Sequence, residues 1–275
     1  MSLYALISPG GAAGVTTTAL ALSLTWPQPV ILAECDPAGG DILAGLFAGH
    51  LPAPRGLLGL AFEAGRGSAA ISAEPGGHLA PLDGSGSRMF LAGLSDPRQA
   101  PGLAPAWPAI ARTLASQACD VIADCGRLDA GDGQPTSVLA AADVVVMVIR
   151  ASLRQVAAAR PRIELLLQLR GGAGLAGTGL AGTGLAGPGQ GGLLLVGDKA
   201  HGAGEIARTL GVPVLASLPS DARTAAVLSD GVGRRSSLSD RSLMRAARSA
   251  GQAIVKAGPG RAQPDLAAAT TGLRA

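Results

Sequence analysis

The chain has 275 residues, 48% of them apolar, enough for one sizeable core, yet only two tryptophans, one tyrosine and three phenylalanines. So few aromatic rings exclude a stacking surface for single-stranded nucleic acid and leave the core to Leu, Val, Ile and Ala. Basic and acidic residues number 22 and 19, but residues 230–275 carry 8 basic against 3 acidic, so the positive character sits in the C-terminal region. All but two of the basic residues are arginine, and the exceptions, Lys199 and Lys256, both lie late in the chain. Three cysteines (Cys35, Cys119, Cys125) form no CxxC pair and give no disulfide framework. Leu3–Ile7 has no basic residue before it and runs into Gly and Pro, unlike a signal peptide. Apolar runs such as Val144–Ile149 are far short of the ~20 residues of a membrane helix. These features predict a soluble, cytoplasmic protein with no membrane insertion.

Leu3–Ile7 is predicted as a buried strand, followed by a helix over Thr16–Thr25 that stops before Pro27. Val30–Ala33 is a second strand. Residues 50–108 are rich in Gly and Pro, with a short helix near Leu57–Ala64 and a strand near Met89–Ala92. Further strands are predicted at Asp120–Asp124, Asp143–Ile149, Leu193–Val196 and Val214–Leu218. Leu153–Leu169 reads as a helix with Pro161 as a break or a new start, and Glu205–Leu210 as a short helix. Residues 171–192 repeat a GLAGT-like unit with nothing to bury, which predicts a flexible inserted loop, and residues 258–275 read as a disordered tail. Continuous apolar strands alternating with helices predict one α/β domain over residues 1–257. Its expected form is doubly wound, a mainly parallel sheet with helices on both faces.

The strongest local signal is Ser8-Pro9-Gly10-Gly11-Ala12-Ala13-Gly14-Val15-Thr16-Thr17-Thr18, between the first strand and the first helix. Glycines let backbone N–H groups converge, and the helix N-terminus adds its dipole, so the loop suits an anion. The P-loop pattern G-x-x-x-x-G-K-[ST] places a lysine where this chain has Val15. His50, His78 and His201 show no zinc-site spacing and read as surface or loop residues. Arg234, Arg235, Arg241, Arg245 and Arg248 form a basic cluster, the last three on one face of a helix. That cluster is either a patch for nonspecific DNA or an acidic partner, or a solvated face.

The loop resembles that of the ParA/MinD family of deviant P-loop ATPases, KGGxGKTT. On Gly10–Thr17 the glycines Gly11 and Gly14 and the threonines Thr16 and Thr17 match, while Gly10 and Val15 stand at the two family lysines. Ala33–Asp41 (AECDPAGGD) is similar to the segment DxDPxGN, and Cys119–Gly126 (CDVIADCG) to the Walker B strand. Ala142-Asp143-Val144 is similar to the opening of the next strand, and Glu205–Gly231 to the late LG.PVL..IP.D segment. The resemblance spans roughly residues 1–255. It implies ATP or ADP with Mg²⁺ as cofactors, held by Gly10, Gly11, Ala12, Ala13, Gly14, Val15, Thr16 and Thr17. In that scheme Thr16 and Asp124 serve the Mg²⁺, Asp36 positions the attacking water, and Asp198 lies where the base is read. Asp36 and Asp124 also read simply as residues closing turns after strands. Arg127 and Arg150, each expected just beyond a strand end, are candidates to supply the charge that Val15 cannot, or are solvent-facing partners of Asp129 or Asp132. The degenerate loop most resembles the CpaE/TadZ branch. It implies a positioning or assembly factor for pilus or secretion machinery, with a motor ATPase as partner and weak or no ATP hydrolysis. The alternative is an active Mg²⁺-ATPase that partitions DNA or other cargo. A homodimer is expected from the family, though Gly10 lacks the lysine that reaches across it.

Overall fold

A computed structural model describes residues 1–11, 13–48, 55–66, 77–129, 131, 133–170, 191–197, 201–231 and 238–258. Among these, eight strands form one sheet: β1 (Leu3–Ser8), β2 (Val30–Glu34), β3 (Leu79–Pro81), β4 (Arg88–Leu91), β5 (Asp120–Arg127), β6 (Val144–Arg150), β7 (Gly191–Val196) and β8 (Val214–Leu218). Their order is β3-β4-β2-β5-β1-β6-β7-β8. All neighbours are parallel except β3, which runs antiparallel to β4 at the edge. This is the expected α/β architecture. β1 lies between β5 and β6 with every residue buried, because the chain crosses over on both sides of it.

Period-two alternation sends neighbouring side chains to opposite faces of the sheet. Leu3, Ala5 and Ile7 join one apolar cluster, and Tyr4 and Leu6 the other. The first face is covered by α2 (Gly56–Gly65), α3 (Ala100–Leu103), α4 (Trp107–Ala115), α5 (Thr136–Ala141), α6 (Leu153–Leu169) and α7 (Ala203–Leu210). The second is covered by α1 (Val15–Thr25), α8 (Ala222–Asp230) and α9 (Ser242–Ala257). Burying a Leu, Ile or Val side chain contributes about 1.5–3 kcal/mol, and such residues make up most of both clusters, with alanine most of the remainder.

Two buried aspartates anchor the N-terminal edge of the sheet. Asp120 accepts from the Ser2 backbone N–H at 2.8 Å and from Trp26 Nε1 at 2.9 Å. Asp143 accepts from the Leu3 N–H at 2.9 Å. The Ser2 and Leu3 N–H groups lie at the start of β1, where these carboxylates supply the acceptors that buried backbone donors require.

Several elements depart from the sequence reading. α6 runs unbroken through Pro161, whose ring faces solvent and whose unpaired carbonyl partner, Ala157, is also exposed. The proline cannot donate the usual helix bond to that carbonyl, and the exposure of both residues leaves the carbonyl open to solvent. Gly191 and Gly192 are buried residues of β7 rather than part of an inserted loop, because the apolar pairing with β6 begins at Val145↔Gly191. Residues 171–190 and 259–275 lie outside the described residues. β5 continues past Asp124 to Arg127 through a register shift against β1, where Leu6 pairs with Asp124 but Ser8 with Arg127. The extra residue is accommodated at Gly126, whose φ of 62° favours glycine. Arg127 therefore ends a strand instead of following it. Arg150 likewise is the last residue of β6. His78, read as a surface or loop residue, is buried with Nε2 3.4 Å from Glu63 of α2.

Candidate functional site

The β1–α1 connection is shaped by one residue. Gly14 caps α1 with φ 81° and ψ 38°, a left-handed conformation that turns the chain into the helix. α1 has no acidic residue in its first turn, so the positive end of its dipole is unopposed by its own sequence. The helix N-terminus opens onto a cavity of about 780 Å³ at the C-terminal edge of the sheet. This is the edge where doubly wound sheets bind their ligands.

The cavity gathers residues from five parts of the chain. The loop contributes Gly11, Ala13, Gly14, Val15, Thr16 and Thr17, and the turn after β2 contributes Asp36, Pro37, Ala38 and Asp41. The end of β5 and its following turn add Gly126, Arg127 and Asp129, and Gln134 lies beyond them. Pro97, Ala100 and Pro101 form the opposite wall. The sequence marks Asp41 only as the end of the DxDPxGN-like segment and Asp129 only as a partner for an arginine, and nothing in it marks Gln134 or the wall at Pro97–Pro101.

Not every expected residue reaches the cavity. Gly10 lies against α6, where a side chain at its position would stand 3.5 Å from Gln155 Nε2. Arg150 is exposed at the end of β6 and does not line the cavity, because β6 flanks β1 on the side away from β5. Ala12, Asp198, Arg234 and Arg235 lie outside the described residues. Arg241 caps α9, and Arg245 and Arg248 are exposed on that helix, far along the chain from the loop.

Three carboxylates, Asp36, Asp41 and Asp129, line the cavity. Asp124 is fully buried behind Thr16 and Gly126 and does not itself line it. It accepts from the Gly126 N–H at 3.1 Å and from the Thr16 hydroxyl. Burial pushes its carboxyl up to about 7, against those two hydrogen bonds, and the neighbouring Asp36 and Glu34 raise it further. Asp36 is also raised by burial, opposed by the Ala38 N–H that it accepts at 2.8 Å. Gly126 is the only residue type that fits between the two, since a Cβ there would meet Asp36 Oδ2 at 2.0 Å. Glu34, buried behind them, accepts from the Ile42 N–H at 2.9 Å and the Gly93 N–H at 3.0 Å. It fixes the turn that carries Asp36 and Asp41. The thiol of Cys125 bonds that of Cys35 in the same layer, and this contact together with burial holds Cys125 well above the usual thiol range.

Against this negative charge, Arg127 is the one basic side chain on the cavity wall among the described residues, and it is paired with Asp129. Val15 stands at the first helical position with only 7% exposure, packed into the apolar cluster under α1. No group of three or more His, Cys, Asp or Glu among the described residues is arranged to hold a metal on its own. A cation here would need a hydroxyl and ligand oxygens beside a carboxylate, and the bonded Thr16–Asp124 pair offers that donor set.

No protein-family model and no curated protein matches the sequence. Solved structures do match. The chain is similar to the MinD cell division protein of Aquifex aeolicus, with TM-score 0.65 and 11% identity over 93% of this chain and 98% of that one. It is similar to the septum site-determining protein MinD of Pyrococcus horikoshii OT3 complexed with Mg-ADP, with TM-score 0.64 and 15% identity over 93% and 96%. It is also similar to an ATP complex of a McdA variant from Cyanothece, with TM-score 0.60 and 18% identity over 92% and 95%. A plasmid partition protein and a ParA family ATPase match in the same way. No described helix is long and apolar enough to cross a membrane. The eight-stranded, mostly parallel sheet with its flanking helices is the fold of the MinD and ParA ATPases.

Proposed function

We propose that this chain is a ParA/MinD-like positioning or assembly factor. In this reading it takes a nucleotide with Mg²⁺ in the β1–α1 cavity and hydrolyses it slowly or not at all. The observation that carries the proposal is Val15. The position where the family lysine would meet phosphate is held by a buried apolar side chain, and the one cation lining the cavity among the described residues is already paired. Phosphoryl transfer depends almost wholly on positioning and electrostatic stabilisation, so losing both lysines removes more from turnover than from binding.

Binding retains its main supports. Backbone N–H groups of Gly11 and of Ala13 to Thr17, with the α1 dipole, are the groups to face the phosphates. Thr16 and Asp124, already joined by a hydrogen bond, are the pair to hold Mg²⁺, which when bound neutralises phosphate charge. Asp36 faces the same space from the turn after β2 and is the residue to orient a water. Arg127 is the side chain to replace the missing lysine charge. The similar solved structures include a Mg-ADP complex and an ATP complex of other proteins, which supports this cofactor class here. A protein partner, such as the motor ATPase of a pilus or secretion machine as in the CpaE/TadZ branch, follows from a factor that binds without turnover. Exposed Arg245, Arg248 and Lys256 on α9 support nonspecific DNA as an additional contact.

The test is calorimetric titration with ADP and ATP, with and without Mg²⁺, followed by phosphate release from the same sample. Mg²⁺-dependent binding without turnover supports the proposal. Steady turnover supports the alternative, an active partitioning ATPase with arginine in place of lysine. No binding at millimolar nucleotide refutes both.

A further inference from the structure

Asp129 is shared by two guanidinium groups. Arg127, at the end of β5, turns its Nε and Nη2 onto Asp129 Oδ2. Arg162, from the middle of α6, approaches Asp129 Oδ1 with Nη2 at 3.5 Å and donates Nε to the Leu128 carbonyl at 3.4 Å. Arg127 and Asp129 line the cavity and Arg162 does not. One carboxylate thus stands between a cation that faces the ligand space and a cation behind it. We infer that Arg127 is an anion-binding side chain held in reserve. When a phosphate-bearing ligand enters, its guanidinium leaves Asp129 for the phosphate oxygens, and Asp129 closes on Arg162.

Three features make this exchange inexpensive. The side chains are 54%, 32% and 32% exposed for Arg127, Asp129 and Arg162, a range in which each ion pair is worth little. Asp129 keeps a partner in both states, so no carboxylate is left uncompensated. The backbone below Arg127 is fixed by the irregular register at Gly126, so only the side chain has to move. A planar guanidinium is also suited to two parallel bonds with phosphate. Without the exchange, the cavity would meet a polyphosphate with Asp36, Asp41 and Asp129 and no available cation side chain among the described residues.

This inference rests on the reading of the cavity as a phosphate site, and the experiment separates the two. Mg-ADP and inorganic tripolyphosphate are titrated into the wild type, Asp129→Asn, Arg127→Gln, the double variant and Arg162→Gln. Releasing Arg127 in Asp129→Asn is expected to tighten binding about two- to five-fold, the equivalent of one exposed ion pair. The gain is expected to vanish in the Arg127→Gln background, whereas simple removal of a negative charge would persist there. Arg162→Gln is expected to weaken binding in the wild type and to have no effect beside Asp129→Asn. A gain that survives Arg127→Gln, or no gain while the wild type binds, overturns the exchange and leaves the phosphate site standing. Absence of binding in both the wild type and Asp129→Asn overturns both. Thermal melts of each variant confirm that the fold is intact.

Discussion

Replacing Asp124 by Asn is expected to remove a pH dependence that the wild-type fold carries. Asp124 is 1% exposed, and its carboxyl is raised from an ordinary 3.8 to about 7, mainly by burial. A carboxyl raised in the folded state holds its proton more tightly there than in the unfolded chain. The penalty for ionising it is therefore absent well below 3.8, grows as pH rises, and is complete above about 7. Between pH 5 and pH 8 these two values convert to roughly 3 kcal/mol of stability lost by the wild type. Asn keeps the acceptor for the Gly126 N–H and a polar partner for the Thr16 hydroxyl, so the variant isolates the charge. Asp36 and Glu34, also raised by burial, remain in both proteins, so only the part of their titration that the Asp124 charge itself influences enters the difference. Urea unfolding of both at pH 5, 6, 7 and 8, followed by the fluorescence of buried Trp26 and Trp107, reads the effect directly. The variant should gain on the wild type steadily as pH rises. Stability curves that stay parallel within about 0.5 kcal/mol would refute the reasoning and mean that Asp124 ionises at an ordinary value.

Three further outcomes are expected. Val15→Lys should tighten Mg-nucleotide binding by about ten-fold or more in calorimetry, since a net charge-assisted hydrogen bond is worth about 1.5–3 kcal/mol. Its melting temperature should fall, because a buried apolar contact worth a similar amount is lost; unchanged affinity would mean position 15 does not face phosphate. Asp120→Ala should cost about 2–5 kcal/mol in urea unfolding, because the Ser2 N–H and Trp26 Nε1 both lose a buried acceptor. Gly126→Ala should cost about 1–2 kcal/mol for its left-handed φ alone, and should weaken nucleotide binding by displacing Asp36; retained affinity would free Asp36 from any role there.

The sheet was legible in the sequence wherever a strand is buried on both faces. Val144–Ile149 and Val30–Ala33 need no context, because an apolar run rich in Val and Ile, bounded by charge or proline, has few other uses. β3 was not legible, since three residues ending in Pro81 carry no pattern and are defined only by their antiparallel partner. α4 was hidden by the prolines around it, although Trp107, Ile110, Ala111 and Leu114 are spaced for one helix face and are all buried. Those prolines are helix starters: Pro97, Pro101, Pro105 and Pro108 each sit in the first two positions of successive helical turns. In the candidate site, Thr16, Asp36 and Asp124 were marked by motifs. Their neighbours were not, because the wall at Pro97–Pro101 meets the loop only through tertiary packing. Arg150 stands at the end of its strand as expected, but the sequence does not show that β6 lies on the side of β1 away from β5, and Arg150 does not line the cavity.

The place of β1 in the sheet also sets when this protein can fold during synthesis. Its two hydrogen-bonding partners, β5 and β6, begin more than a hundred residues later, as do Asp120 and Asp143, which hold its first backbone N–H groups. At about 5–20 residues per second, translation takes roughly ten to thirty seconds to reach the end of β6. Through that interval an apolar six-residue segment has both edges unpaired, the condition in which strands add to one another. A nascent chain arrested before residue 150 cannot bury its own first strand, so its aggregation should fall sharply once β6 has left the ribosome.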